Sequence, residues 1–187
     1  MSFTYFAYGS NMLPARLKAR CSTARVIGTA HAHSFGLEFS KPSKDGSGKA
    51  TLIESEFQEV VTPGVLFEIE RSELRNLDRA EGAGYGYDRD DSFHVTCTST
   101  GATLTATTYL ASTTEPKLEP FDWYLALVLA GSHHHALHED HLRRLRAINH
   151  VVDSNHSRKG RIEALEALSQ HGYDDHHYLL RNPSEEQ

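Results

Sequence analysis

The sequence has few of the features that mark secreted, membrane-spanning or disulfide-stabilised proteins. Its 187 residues include only two cysteines, Cys21 and Cys97, which are too few for a disulfide framework and predict a reducing compartment. The longest apolar run, residues 123–130, is much too short to cross a bilayer. The N-terminus lacks the basic stretch and the apolar core of a signal peptide. We therefore predict a cytoplasmic protein with no membrane partner.

Positive charge is also scarce. Lysine and arginine number 19 against 25 acidic residues, and the net charge of −6 argues against nucleic acid as a partner. A hydrophobic fraction of 39% and this length are typical of one globular domain, residues 1–187. Its polar C-terminal tail, about 173–187, is expected to be partly loose. The sequence leaves the oligomeric state open and is compatible with a homodimer.

The pattern of hydrophobic residues places most strands before most helices. Alternating or short apolar runs predict strands at residues 3–8, 25–33, 37–40, 50–54 and 60–69, and a β-hairpin at 93–97 and 104–110. Ser72 is predicted to cap a short helix that runs to about Arg79 and leads into Glu81. An apolar helix, 121–130, is predicted to end at a Gly131 cap, and two amphipathic helices follow, the second with Ile162, Leu165 and Leu168 inward. Because strand and helix do not alternate strictly, the predicted fold class is α+β.

The segment from Tyr5 to Met12 organises the rest of the chain. A short aromatic strand runs into a turn at Gly9, Ser10 and Asn11, and a helical pattern resumes with Pro14 in its first turn. Such a turn leaves backbone N–H groups unpaired, and these can hold a carboxylate or a developing oxyanion. The same residues also fit an ordinary strand–turn–helix connection.

Glu81 is the acidic residue with the most unusual surroundings. It is predicted at a helix end and is followed by three glycines interleaved with Tyr85 and Tyr87. A glycine-rich segment of this kind can close over a ligand, and a carboxylate beneath it could act as a general base. The alternative is an ordinary surface glutamate at a helix terminus.

Together, residues 5–11 (YFAYGSN) and 77–82 (LDRAEG) resemble the two signatures of the γ-glutamylcyclotransferase family. The similarity continues at residues 48–52, 64–67, 123–131 and 141–148, so it covers nearly the whole chain. The resemblance implies a mixed β-barrel with flanking helices. It also implies that the α-amine of a small γ-glutamyl substrate attacks its own γ-carbonyl, which releases 5-oxoproline and an amino acid without any cofactor.

The resemblance also assigns residue roles. It implies that Glu81 is the catalytic general base. The substrate-binding residues that it implies are Tyr5, Phe6, Ala7, Tyr8, Gly9, Ser10, Asn11 and Tyr124. Without the resemblance, Tyr124 would be a core aromatic residue. Three alternatives stay open: a γ-glutamylamine cyclotransferase, a γ-glutamyl deprotecting enzyme of a biosynthetic pathway, and a non-catalytic protein that binds a small carboxylate.

The thirteen histidines are candidate metal ligands. His134, His138 and His141 would share one side of a helix only if that helix began early, and His176 and His177 form a separate pair. A solvated loop and helix start is the simpler interpretation. We therefore predict no metal site.

Overall fold

The structure, a computed structural model, describes residues 1–181. Its strands are β1 (Ser2–Ala7), β2 (Arg25–His33), β3 (Phe35–Pro42), β4 (Gly48–Glu54), β5 (Val61–Glu70), β6 (Tyr87–Cys97) and β7 (Thr103–Ala111). Five of them close into a barrel in the order β1-β5-β2-β6-β7, and β3 and β4 form a separate hairpin. The barrel contains parallel and antiparallel pairs. The predicted α+β fold with a mixed β-barrel is thus confirmed.

Strand β1 closes the barrel because it has a neighbour on each side. It pairs antiparallel with β5, from Ser2 opposite Glu70 to Ala7 opposite Val65. On its other side it pairs parallel with β7 through Tyr5 and Thr107. A strand held on both edges has a fixed end, so the turn that follows β1 starts from a defined position.

The helices are α1 (Pro14–Lys18), α2 (Leu74–Glu81), α3 (Asp122–His134), α4 (Glu139–Arg146), α5 (Lys159–Ser169) and α6 (His177–Leu180). Helix α3 is the centre of this layer, since every residue from Asp122 to Ser132 is buried. It packs against α4, α5, α6 and a 3₁₀ turn, Ser10–Met12, that follows β1. Within the described part of the chain, no helix combines the length and the apolar character needed to span a membrane.

Two predictions about the smaller helices are wrong. Ser72 does not cap α2: it lies inside a 3₁₀ turn, Arg71–Glu73, that leads directly from β5 into the helix, and no side chain caps α2. In α5, Leu168 is buried and Leu165 packs against the core, as predicted, but Ile162 is 44% exposed. The helix also buries Ala164 and Ala167. The small alanine side chains let α5 lie close to its neighbours. The spacing of the large apolar residues does not reveal this, because it leaves the alanines out.

Gly131 is not the C-terminal cap of α3. The helix continues through it to His134, and Gly131 lies where α3 crosses the turn after β1. A Cβ at this position would lie 2.7 Å from Met12 Cβ and 2.8 Å from the backbone nitrogen of Leu13. The glycine is therefore required for a close approach between two backbones, not for ending a helix.

The C-terminal segment is packed as far as it is described. Leu179 is buried, and the buried His176 contacts Asp122 at the start of α3. Residues 182–187 of the segment predicted to be partly loose lie outside the described residues.

Candidate active site

The turn after β1 supplies one wall of a cavity. Gly9, Ser10 and Asn11 line it, and Ser10 and Asn11 begin the 3₁₀ turn. Among the described residues, no group accepts a hydrogen bond from the N–H groups of these three residues. Unpaired N–H groups beside a cavity are available to an anion or an oxyanion.

Glu81 reaches the same cavity from the end of α2. The next residue, Gly82, adopts a left-handed conformation with φ of 68° and donates its N–H to the carbonyl of Arg79. This conformation favours glycine and ends the helix, so the Glu81 carboxylate lies at the helix terminus. Its side chain is 14% exposed. Glu81 and the turn therefore line the same cavity.

Both hydrogen bonds to the Glu81 carboxylate go to one of its oxygens. Asn11 Nδ2 donates to Oε1 at 2.6 Å, and Arg20 Nη1 donates to the same oxygen at 2.8 Å. Arg20 Nη1 also lies 2.8 Å from Asn11 Oδ1, so the three side chains form a closed set of contacts. Glu81 Oε2 has no hydrogen-bond partner among residues 1–181. The free oxygen is available to a substrate proton.

Arg20 was not predicted as a site residue from the sequence. It follows α1, nine residues after Asn11, where an arginine usually belongs to a solvated surface. Only the short helix between them, which turns the chain back toward α2, brings its guanidinium group to Glu81. A basic residue shortly after the turn was the sole local signal, and it was not specific.

Five tyrosines line the remaining walls. They are Tyr5, Tyr8, Tyr87, Tyr109 and Tyr124. Burial raises the pKa of each phenol above its ordinary value, and the negative charge of Glu81 raises it further. The phenols therefore stay protonated at neutral pH, and they can orient a ligand as hydrogen-bond partners. Glu81 is the one carboxylate among the residues that line this cavity.

The strand β4 holds two of these tyrosines. Ala50 donates its N–H to Tyr124 Oη at 3.2 Å, and its carbonyl accepts a hydrogen bond from Tyr87 Oη at 2.7 Å. Tyr109 is fixed from the other side, since its Oη donates to Asp78 at 2.8 Å. Tyr124 thus lies at the cavity, as the resemblance implied, and Asp78 supports the site.

Phe6 and Ala7 lie outside this cavity. Phe6 is fully buried and stacks on Phe93 with ring centroids 6.0 Å apart, and Ala7 is 1% exposed. Side chains alternate along a strand, so Phe6 points to the opposite face of β1 from Tyr5. The structure brings together the other predicted site residues, namely Tyr5, Tyr8, Gly9, Ser10, Asn11, Glu81 and Tyr124.

Only the end of the glycine-rich segment after Glu81 reaches the cavity. Tyr85 is 95% exposed and contributes no wall. Tyr87 already belongs to β6 and lines the cavity. The cavity itself encloses only about 30 Å³, roughly the space of one water molecule. A larger ligand must therefore extend past its rim.

The candidate ligands His134, His138 and His141 do not gather at one point. His134 packs against His171, the exposed His138 caps α4, and His141 is buried elsewhere. Asp122, His176 and His177 have potential ligand atoms within 4.8 Å of one another. Asp122 and His176 hydrogen-bond at 3.1 Å, which accounts for their burial. The absence of a metal site stays a prediction.

A larger cavity of about 420 Å³ lies between β3, β5 and α4, and His141 is one of its walls. It is lined mainly by apolar residues and contains none of the chemistry described above. His141 Nε2 is buried without a hydrogen-bond partner among residues 1–181. Burial, and secondarily the charge of Arg144, lower the pKa of His141 to about 4.

This pKa predicts an acid-sensitive fold. Above about pH 6.5, His141 is neutral in both the folded and the unfolded chain; between about pH 6.5 and 4 only the unfolded chain binds the proton. We expect the free energy of unfolding to fall by up to about 3 kcal/mol over this window because of His141 alone. His141→Leu should remove that slope in denaturant titrations at several pH values. His94→Leu, at an exposed position on β6, is the matched control; an unchanged slope in His141→Leu would contradict the assignment.

Comparison with known proteins agrees with the fold. A model of the AIG2-like family matches residues 62–145. The chain is 31% identical over 152 residues to the γ-glutamylcyclotransferases of Bos taurus and of Homo sapiens, with 79% of each chain covered in both comparisons. A solved structure titled γ-glutamyl cyclotransferase superposes with a TM-score of 0.79 at 26% identity. That superposition covers 89% of this chain and 99% of the other.

Proposed function

The chain belongs to the γ-glutamylcyclotransferase family, and we propose that it cleaves γ-glutamyl amino acids by intramolecular cyclisation. In this reaction the substrate's α-amine attacks its own γ-carbonyl carbon. The new C–N bond closes the ring of 5-oxoproline, the old amide C–N bond breaks, and an amino acid leaves. The observation that carries the proposal is a cavity lined by one carboxylate and by a turn whose three backbone N–H groups have no acceptor among residues 1–181.

Glu81 acts as the general base in this proposal. The α-amine is an ammonium ion in solution and must lose a proton before it can attack. Asn11 and Arg20 both hold Oε1, which leaves Oε2 to take the proton and then return it to the leaving amine. The neighbouring phenols are poor bases, because a protonated phenol has no negative charge to offer an ammonium proton.

The N–H groups of Gly9 and Ser10 serve the oxygen of the reacting amide. Negative charge develops on that oxygen when the amine attacks, and fixed N–H donors stabilise it without rearranging. One such donor typically contributes about 100- to 1000-fold in rate. The buried phenols of Tyr5, Tyr8 and Tyr124 hold the substrate folded, so that amine and carbonyl meet.

The bond formed and the bond broken both lie within the substrate, so the cycle needs no cofactor. Two protons leave the α-nitrogen, one before and one after the attack, and the leaving nitrogen gains two, so Glu81 carries them one at a time and ends the cycle ionised. We also propose a cytoplasmic location, which the two free thiols of Cys21 and Cys97 support.

The proposal is tested by measuring 5-oxoproline released from a panel of γ-glutamyl compounds. The panel contains γ-glutamyl dipeptides, glutathione and γ-glutamyl-lysine with the bond at the lysine side chain. We expect release from the dipeptides with one free amino acid per 5-oxoproline. If no compound of the panel yields 5-oxoproline although the dipeptides bind, the chain is a binding protein and the proposed activity is wrong.

A further inference from the structure

Lys41 lies against the wall of the cavity from outside. It is on β3, and its Nζ is 4.9 Å from the ring centroid of Tyr87. A Cβ on Gly86 would lie 2.9 Å from Lys41 Nζ, so the ammonium group touches the short segment between Glu81 and β6. The aromatic ring that it covers is one of the five that line the cavity.

The other cations around the site have carboxylate partners. Arg20 pairs with Glu81 at 2.8 Å, and Lys49 pairs with Asp45 at 2.9 Å. Within residues 1–181, Lys41 has no ion-pair partner, although it is half-buried. Burial lowers its pKa, which the charges of Glu81 and Asp45 partly offset.

Lys41 is also directly opposite another lysine. Lys41 and Lys49 are register partners in the β3–β4 hairpin. Like charges at opposed positions of a sheet destabilise it, and a partly desolvated cation without a counter-ion adds to that cost. An anion bound beside Lys41 would relieve both effects. The position therefore combines a local cost to the fold with contact to a ring that lines the cavity, which is typical of a functional residue.

The substrate of the proposed reaction carries such an anion. The cavity of about 30 Å³ cannot enclose a γ-glutamyl dipeptide, so part of the substrate must extend past the rim. The amine and the carbonyl of the γ-glutamyl part have to meet Glu81 and the N–H groups, so these reacting groups lie at the cavity. The leaving amino acid then lies farther out with its carboxylate, and a simple amine in its place would lack that charge.

We propose, on the basis of the function proposed above, that Lys41 binds the carboxylate of the leaving amino acid and so selects γ-glutamyl amino acids over γ-glutamyl amines. Lys41 takes no part in proton transfer or bond formation. It lowers the energy of the bound substrate and of the transition state through a contact that only carboxylate-bearing leaving groups can make. A charge-assisted hydrogen bond of this kind is worth about 10- to 100-fold in kcat/KM.

The test compares two substrates that differ only in that carboxylate, γ-glutamyl-alanine and γ-glutamyl-ethylamine. The value measured is kcat/KM for 5-oxoproline release. We expect Lys41→Met to lower it by about 10- to 100-fold for the dipeptide and by less than about threefold for the amine. Lys41→Arg should keep most of the preference, because it restores the cation. Lys44→Met, an exposed lysine in the same hairpin, is the matched control and should leave both values unchanged.

Each outcome decides between the two proposals. If the wild type releases 5-oxoproline but Lys41→Met affects both substrates equally, or neither, the role of Lys41 is wrong and the proposed function stands. If the wild type acts on neither substrate, the proposed function is wrong, and the role of Lys41 is rejected with it.

Discussion

Glu81→Gln should lower the turnover of γ-glutamyl amino acids by at least about 100-fold, the lower end of what a positioned acid–base group contributes. The glutamine carbonyl can still accept hydrogen bonds from Asn11 and Arg20, which now both reach Oε1. The fold and the cavity should therefore persist. What disappears is the basic oxygen, Oε2, because a neutral amide cannot take a proton from an ammonium group.

The measurement pairs steady-state 5-oxoproline release with the affinity for 5-oxoproline by calorimetry. Affinity should change much less than turnover, since the turn and the tyrosines line most of the cavity. Glu166→Gln, an exposed glutamate on α5, gives the same chemical change away from the site. Asp78 is unsuitable as a control because it holds Tyr109 and Arg89. Near-native turnover in Glu81→Gln would refute the proton-transfer role.

Gly131→Ala should lower both stability and activity, although alanine is the better helix former. In an open helix interior this change gains up to about 1 kcal/mol. Here the new methyl group would lie 2.7–2.9 Å from atoms of Met12 and Leu13, two of them backbone atoms that cannot move aside independently. We expect a loss of about 1–3 kcal/mol in the free energy of unfolding. The displaced turn carries the N–H groups of the site, and a shift of about 1 Å can reduce the rate about 100-fold.

Gly160→Ala is the matched control for this prediction. Gly160 also lies in a helix, and a Cβ there would meet only Trp123 ring atoms at 3.4 and 3.9 Å, an ordinary contact. The free energy of unfolding of Gly160→Ala should be unchanged or higher by up to about 1 kcal/mol. Denaturant unfolding and 5-oxoproline release of the two variants provide the comparison. Equal stability of Gly131→Ala and the wild type would show that the crossing of α3 over the turn is not tight.

Much of the barrel could be predicted because its strands carry local patterns. Strand β2 has the bounds that the sequence predicted, residues 25–33. The β6–β7 hairpin was predicted only from Phe93, because Asp88 to Asp91 form a charged run that is typical of a loop. That run is held in β6 by pairing with β7. The parallel contact of Tyr5 with Thr107, which closes the barrel, joins residues too distant in sequence for any local signal.

The residues of the candidate site also differ in whether the sequence could predict them. Glu81 and the turn at Gly9 could be predicted because each has a sequence signature. Arg20 and Lys41 could not, since their relevance depends on which side chain the fold brings next to them. Gly131 was assigned to a helix end because a glycine after an apolar run is typical of one. The requirement that it meets is a tertiary contact with Met12.

In the proposed reaction the γ-glutamyl bond is broken by the substrate's own amine and not by water. This is tested by running the reaction on γ-glutamyl-alanine in water labelled with the heavy oxygen isotope ¹⁸O and measuring the masses of the products by mass spectrometry. Cyclisation predicts 5-oxoproline as the first product, with no heavy oxygen in it, and one alanine for each molecule formed. Glutamate that carries one heavy oxygen in its side-chain carboxylate would contradict the claim, because that product requires attack by solvent water.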